Sequence, residues 1–120
     1  MKKRILLVDD EEWTKEALQA GLNPLQYELL YSNGVDSAIK MIKKTKDIAL
    51  VVLDLMMPGK TGFDFLAYLK DKNISLKVVV LSALNDAAPA VEAMKMGAID
   101  YITKPFNKSD VRIKILKILE

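Results

Sequence analysis

Three continuous apolar runs, each ending on a polar residue, constrain this fold more than any other feature of the chain. Ile5-Leu6-Leu7-Val8 runs into Asp9-Asp10, Ile48-Ala49-Leu50-Val51-Val52-Leu53 into Asp54, and Val78-Val79-Val80-Leu81 into Ser82. Unbroken runs of this length, rich in β-branched residues, suit strands buried on both faces. That is the condition of a parallel sheet covered by helices. Residues 27–32 and 99–103 are weaker and read as strands at or near the edges.

Helical patterns fill the gaps. Residues 12 to about 21 bring Trp13, Ala17 and Leu18 near one face. Val35, Ala38, Ile39 and Ile42 recur at i, i+3, i+4 and i+7, with Asp36, Lys40, Lys43 and Lys44 turned outward. Thr61-Gly62 opens a third stripe through Phe63, Leu66, Ala67 and Tyr68 or Leu69. Pro89 fits the first turn of a fourth helix that runs to Met96 and stops at Gly97. Asn107 to Asp110 supply a cap and early negative charge for a fifth. Strand and helix therefore alternate five times within 120 residues, one domain's worth of chain. Short loops and right-handed crossovers make this a flavodoxin-like, doubly wound α/β fold. The expectation is (βα)5 with a five-stranded parallel sheet in the order 2-1-3-4-5.

Charge and composition exclude several classes. Eighteen Lys and Arg against sixteen Asp and Glu leave +2, with no basic block, so neither nucleic acid nor a membrane surface is an expected partner. No apolar run approaches the roughly 20 residues of a membrane span. Met-Lys-Lys-Arg followed by four apolar residues and then acids does not read as a signal peptide. The absence of cysteine removes thiol chemistry and fits a reducing, cytoplasmic compartment. The absence of histidine removes the commonest general base and metal ligand.

In a doubly wound sheet, ligands bind at the carboxyl ends of the strands, by the switch in strand order. The pattern places Asp9 and Asp10 there, with Asp54, Ser82 and Lys104. Three carboxylates converging in a partly desolvated crevice repel one another. A hard divalent cation relieves this, and oxygen ligands with some retained water favour Mg²⁺. The metal and Lys104 could neutralise phosphoryl oxygens, and the Ser82 hydroxyl could hydrogen-bond another. A carboxylate aimed between them can attack phosphorus. Such a transfer needs positioning and charge neutralisation more than a general base.

Four motifs together carry a resemblance. Val8-Asp9-Asp10, Leu53-Asp54-Leu55-Met56-Met57-Pro58-Gly59, Leu81-Ser82-Ala83 and Tyr101-Ile102-Thr103-Lys104-Pro105-Phe106 resemble the receiver domain of two-component response regulators, in order and at that family's spacings. The resemblance implies that residues 1–120 are a receiver domain with Asp54 as phosphoacceptor. It makes Asp10 and Asp54 direct Mg²⁺ ligands, together with the backbone carbonyl of Met56, and Asp9 a ligand through water. Lys104 would contact the phosphoryl group and precede a cis peptide bond to Pro105. Ser82 and Tyr101 would be the switch pair. The implied donor is a sensor histidine kinase or a histidine phosphotransfer protein, and the implied target an output domain or a downstream protein. Such a domain is a signalling module that catalyses its own phosphorylation and slow dephosphorylation. The stretch 90–98 with Asp100-Tyr101 is similar to receivers of nitrogen-regulation type. Thr61 departs from the family, where many members have Asp before the glycine, and Ser82 stands where others have Thr.

Other readings meet specific obstacles. Gly59-Lys60-Thr61 looks like the end of a P-loop, yet Asp54 stands where the full pattern needs glycine. A flavin site would need a Ser/Thr/Gly-rich phosphate loop where this chain has Asp9-Asp10-Glu11-Glu12. Asp54-Leu55-Met56 lacks the second aspartate of haloacid-dehalogenase-type phosphatases, which argues against a stand-alone hydrolase. A phosphorylation-independent interaction module on this fold would be betrayed by loss of Asp10, Asp54 or Lys104, and none is lost. Trp13 reads as a packing or partly exposed helix residue. Met56 and Leu84, two residues past Asp54 and Ser82, are apolar and predict slow self-dephosphorylation. In the last helix Val111, Ile115, Ile118 and Leu119 form a core stripe. Ile113 and Leu116 fall about 200° and about 140° away from Val111, among Arg112, Lys114 and Lys117. With the resemblance, that face predicts a homodimer through the fourth and fifth helices, strengthened by phosphorylation.

Overall fold

The computed structural model describes residues 2–57, 59–83 and 86–119. The strands are β1 (Lys3–Val8), β2 (Tyr27–Ser32), β3 (Ile48–Asp54), β4 (Val78–Ala83) and β5 (Asp100–Lys104). They alternate with the helices α1 (Glu12–Gly21), α2 (Val35–Lys44), α3 (Gly62–Asp71), α4 (Ala88–Lys95) and α5 (Lys108–Leu119). All strand pairs are parallel, and the order is β2-β1-β3-β4-β5, as the apolar pattern predicts. The two weaker sequence runs are the two edges.

Alternate residues of each strand feed two separate cores. Leu6, Val8, Val51, Leu53, Val78 and Val80 pack with Phe65, Leu66 and Ala93 beneath α2, α3 and α4. Ile5, Leu7, Leu50, Val52, Val79 and Leu81 pack with Leu18, Val111 and Ile115 beneath α1 and α5. Each fully buried aliphatic side chain contributes on the order of 1.5–3 kcal/mol. Both faces of the central strands are thus covered, which is why their sequence shows no alternation of polarity.

The helix ends follow their sequence signals. Asp110 N–H donates to Asn107 Oδ1 at 2.9 Å and Asn107 N–H to Asp110 Oδ2 at 3.3 Å, so the two residues cap α5 reciprocally. Pro89 occupies the first turn of α4. Gly97 takes φ 113° just past that helix, a conformation glycine adopts without steric cost. On α5, Val111 and Ile115 are buried, Ile118 and Leu119 pack partly against the same core, and Ile113 and Leu116 are exposed, in agreement with the predicted stripe.

One expectation is corrected on α1. Its buried face is Thr14, Leu18 and Gly21, spaced i, i+4 and i+7. Trp13 lies about 100° round the helix from Thr14 and is exposed. It leaves the core and faces the carboxyl end of the sheet. Among the described residues, no helix is long and apolar enough to cross a membrane.

Candidate functional site

Strand register builds the site. Val8 pairs with Leu53, Asp54 with Leu81, Ser82 with Thr103 and Ala83 with Lys104, so four parallel strands end at one level. The chain leaves β1 at Asp9, β3 at Asp54 and β5 at Lys104, and these side chains converge. Lys104 Nζ lies 2.8 Å from Asp9 Oδ2 and 3.3 Å from Asp54 Oδ2. Asp9 is fully buried and Asp54 nearly so. The second oxygen of each accepts a backbone N–H two residues on: Glu11 to Asp9 Oδ1 at 3.0 Å, and Met56 to Asp54 Oδ1 at 3.1 Å. Both carboxylates are therefore fixed in direction by their own loops.

Gly62 lets α3 start close against this loop. Its N–H donates to Leu55 O at 3.2 Å, and a Cβ there would lie 2.6 Å from the Asp54 carbonyl oxygen. Any side chain at 62 would press on the backbone that carries Asp54.

The electrostatics are tense. Burial pushes the Asp54 carboxyl up to about 6, helped by the Asp9 charge and opposed by the Met56 N–H and Lys104. For Lys104, burial pulls the other way, but its close contacts with the carboxylates of Asp9, Glu11 and Asp54 hold it above the ordinary lysine value. It remains an ammonium. Ligand oxygens of Asp9, Asp10, Glu11 and Asp54 come within 4.8 Å of one another.

The chemistry of this set fits a hard divalent cation. All donors are oxygens, Asp10 is exposed, and Asp9 Oδ2 is buried without a hydrogen-bond partner. Lys104 approaches that oxygen as an ion pair but is not aligned for a hydrogen bond. A metal reached through water would satisfy it.

Two participants escaped the sequence reading. Glu11 Oε1 lies 2.9 Å from Lys104 Nζ, and Glu11 Oε2 accepts the Trp13 indole N–H at 2.8 Å. Lys104, then Trp13, hold the Glu11 carboxyl below the ordinary value. A cleft of about 320 Å³ opens over the group, lined among others by Glu11, Trp13, Asp54, Met56 and Lys104. The run of four acids at 9–12 was the available signal, but nothing in it singles out Glu11.

The remaining expected residues are placed as follows. Ser82 is buried at the end of β4, one position beyond the partner of Asp54. Tyr101 is 41% exposed, with Lys114 Nζ 5.6 Å from its ring centroid and 3.3 Å from Asp100 Oδ1. Lys104–Pro105 is cis. Leu84 lies outside the described residues.

A family model described as the response regulator receiver domain matches residues 5–116. The alkaline phosphatase synthesis transcriptional regulatory protein PhoP of Bacillus subtilis is 32% identical over 119 residues, 99% of this chain and 49% of that one. The chain spans about half the length of the curated relatives it matches. Among solved structures, NtrX from Brucella abortus superposes with a TM-score of 0.89 at 30% identity, covering 99% of this chain and 27% of that one. The Francisella response regulator 1452 receiver domain gives 0.86 at 25% identity, covering 98% and 97%.

Proposed function

This chain belongs to the response regulator receiver domain family, and on that premise we propose that Asp54 accepts a phosphoryl group in a Mg²⁺-assisted reaction. We take residues 1–120 as one such domain. The observation that carries the reading is the convergence of Asp9, Asp54 and Lys104 beneath an open cleft at the end of the sheet.

In the transfer, an Asp54 carboxylate oxygen forms a bond to phosphorus as the donor's bond to phosphorus breaks. With a phosphohistidine of a sensor kinase or histidine phosphotransfer protein, the P–N electron pair leaves with the imidazole. A small phosphodonor yields the same acyl phosphate. Asp54 is aimed by the Met56 N–H, and Lys104 meets the negative charge of the phosphoryl oxygens. Asp10, Asp54 and the Met56 carbonyl would hold Mg²⁺ directly and Asp9 through water, and the bound cation would supply further neutralisation of phosphoryl charge. The domain thus promotes its own phosphorylation without a general base.

Ser82, one position past the strand partner of Asp54, would give its hydroxyl to a phosphoryl oxygen. Its movement would open space for Tyr101 to rotate inward, shifting a pre-existing equilibrium of the α4–β5–α5 face. That face offers Tyr101, Ile113 and Leu116 to an output domain, a downstream protein or a second copy. The relatives' greater length supports an output region beyond this domain.

Exposure to a small phosphodonor tests this reading. The account expects one phosphoryl group per chain, dependent on Mg²⁺ and released by hydroxylamine as an acyl phosphate is. Uptake that ignores chelation, or a product stable to hydroxylamine, contradicts it.

A further inference from the structure

We propose that Glu11 and Trp13 form a clasp that holds the Lys104 ammonium until an arriving phosphoryl oxygen displaces Glu11. The inference rests on Asp54 as the phosphoryl site.

An ammonium has three protons to give. In this structure Glu11 at 2.9 Å and Asp54 at 3.3 Å each accept one of them, and Asp9 Oδ2 crowds the same group as an ion pair at 2.8 Å. A new anionic oxygen must displace one of these partners. Asp9 has no exposed surface, so losing Lys104 would strand a buried charge. Asp54 is itself the group being modified. Glu11 alone is half exposed and would be rehydrated on release.

Glu11 is also tethered. Its other oxygen takes the indole N–H of Trp13, Lys104 Nζ lies 5.5 Å from that ring's centroid, and Trp13 packs against Phe106 with centroids 5.5 Å apart. Acid, cation and indole form a closed set on the cleft wall. Glu11 therefore stands in for the phosphoryl anion in the resting domain, and exchange at Lys104 loosens Trp13. The clasp assigns this carboxylate to the lysine and leaves a metal to Asp9, Asp10 and Asp54.

Trp13 is the only tryptophan in the chain, so its emission reports the clasp directly. The full chain is titrated with beryllofluoride at saturating Mg²⁺, with binding followed by fluorine NMR and the clasp by fluorescence. Wild-type emission is expected to change in step with binding. Glu11→Gln should need about two- to fivefold less beryllofluoride, the range a half-exposed ion pair commands. Its emission without ligand should already resemble the ligand-bound wild type. Trp13→Phe, read by NMR alone, should shift the titration the same way. Mg²⁺ titrations without beryllofluoride should separate the variants from wild type by less than about threefold.

Bound beryllofluoride with unchanged Trp13 emission overturns the clasp and leaves the phosphoacceptor reading standing. So does a Glu11→Gln chain that needs more beryllofluoride or loses Mg²⁺ affinity tenfold or more, since Glu11 would then serve the metal. No bound fluoride in wild type removes Asp54 as the site, and the clasp with it.

Discussion

Lys104 Nζ lies 2.8 Å from Asp9 Oδ2, and the aspartate has no exposed surface. The pair joins the ends of β1 and β5, two strands that are not neighbours in the sheet. Breaking it leaves a buried carboxylate beside three others. Lys104→Met, which keeps the aliphatic stem, should therefore destabilise the metal-free protein by about 3 kcal/mol. Mg²⁺ should restore more stability to this variant than it adds to wild type. Urea denaturation with and without the metal measures both, and an unchanged midpoint would show that the ion pair is energetically idle.

Asp54 gives a pH-dependent prediction with a definite sign. Its carboxyl is raised from 3.8 to about 6, chiefly by burial, so the folded chain binds more protons than the unfolded one in that window. Stability from this group is present at low pH and is lost as pH rises through about 6. Asp54→Asn removes the strained charge. In chelator, its melting temperature should exceed that of wild type by several degrees near pH 7.5 and converge with it near pH 4. A gap that widens on acidification would contradict the assignment.

Gly62→Ala probes the support of the site. The added Cβ would meet the Asp54 carbonyl oxygen and the Leu55 backbone, neither of which can turn aside as a side chain could. A loss of about 1–3 kcal/mol is expected, with slower phosphorylation because Asp54 is displaced. A variant of wild-type stability and wild-type rate would mean that the close approach carries no constraint.

The sheet order is legible in the sequence because β1, β3 and β4 are buried on both faces and so appear as unbroken apolar runs. Asp9, Asp54 and Ser82 are legible for a related reason, since each sits where such a run stops, while Lys104 closes the weaker run of the β5 edge. Glu11 and Trp13 are not. Their meaning comes from Lys104, 93 residues further on from Glu11, and a glutamate on a helix shoulder reads the same whether it faces water or a lysine. The sequence sets Trp13 near one face with Ala17 and Leu18 and reads it as a packing or partly exposed residue; it is partly exposed against Phe106, and the buried stripe starts one residue later, at Thr14. Tyr101 is exposed, as a residue expected to rotate inward on phosphorylation must be, with Lys114 of α5 stacked near its ring.

That stacking leads to a prediction about the switch. Lys114 ties Asp100 and the Tyr101 ring to α5 in the outward arrangement. Lys114→Ala should favour the inward state and strengthen self-association through α4 and α5 before phosphorylation. Ile113→Lys with Leu116→Glu should abolish that association. Sedimentation with and without beryllofluoride decides. A wild type that stays monomeric in both states, or a double variant that associates equally well, places the contact elsewhere.

Met56 is 67% exposed on the cleft wall and has no group to orient a hydrolytic water. Met56→Asn should shorten the life of the phosphorylated state several-fold, read as the decay of phosphoprotein after donor removal. An unchanged or longer lifetime would remove Met56 from the water's path.

The central claim is that the phosphoryl group is carried by Asp54. Borohydride reduces an acyl phosphate to an alcohol, converting a phosphorylated aspartate to homoserine, which peptide mass mapping locates. After incubation with a small phosphodonor and Mg²⁺, the account predicts homoserine at position 54, and none anywhere in Asp54→Asn or in chelator. Homoserine at Asp9 or Asp10, or phosphate retained on Ser82 or another hydroxyl, would contradict it.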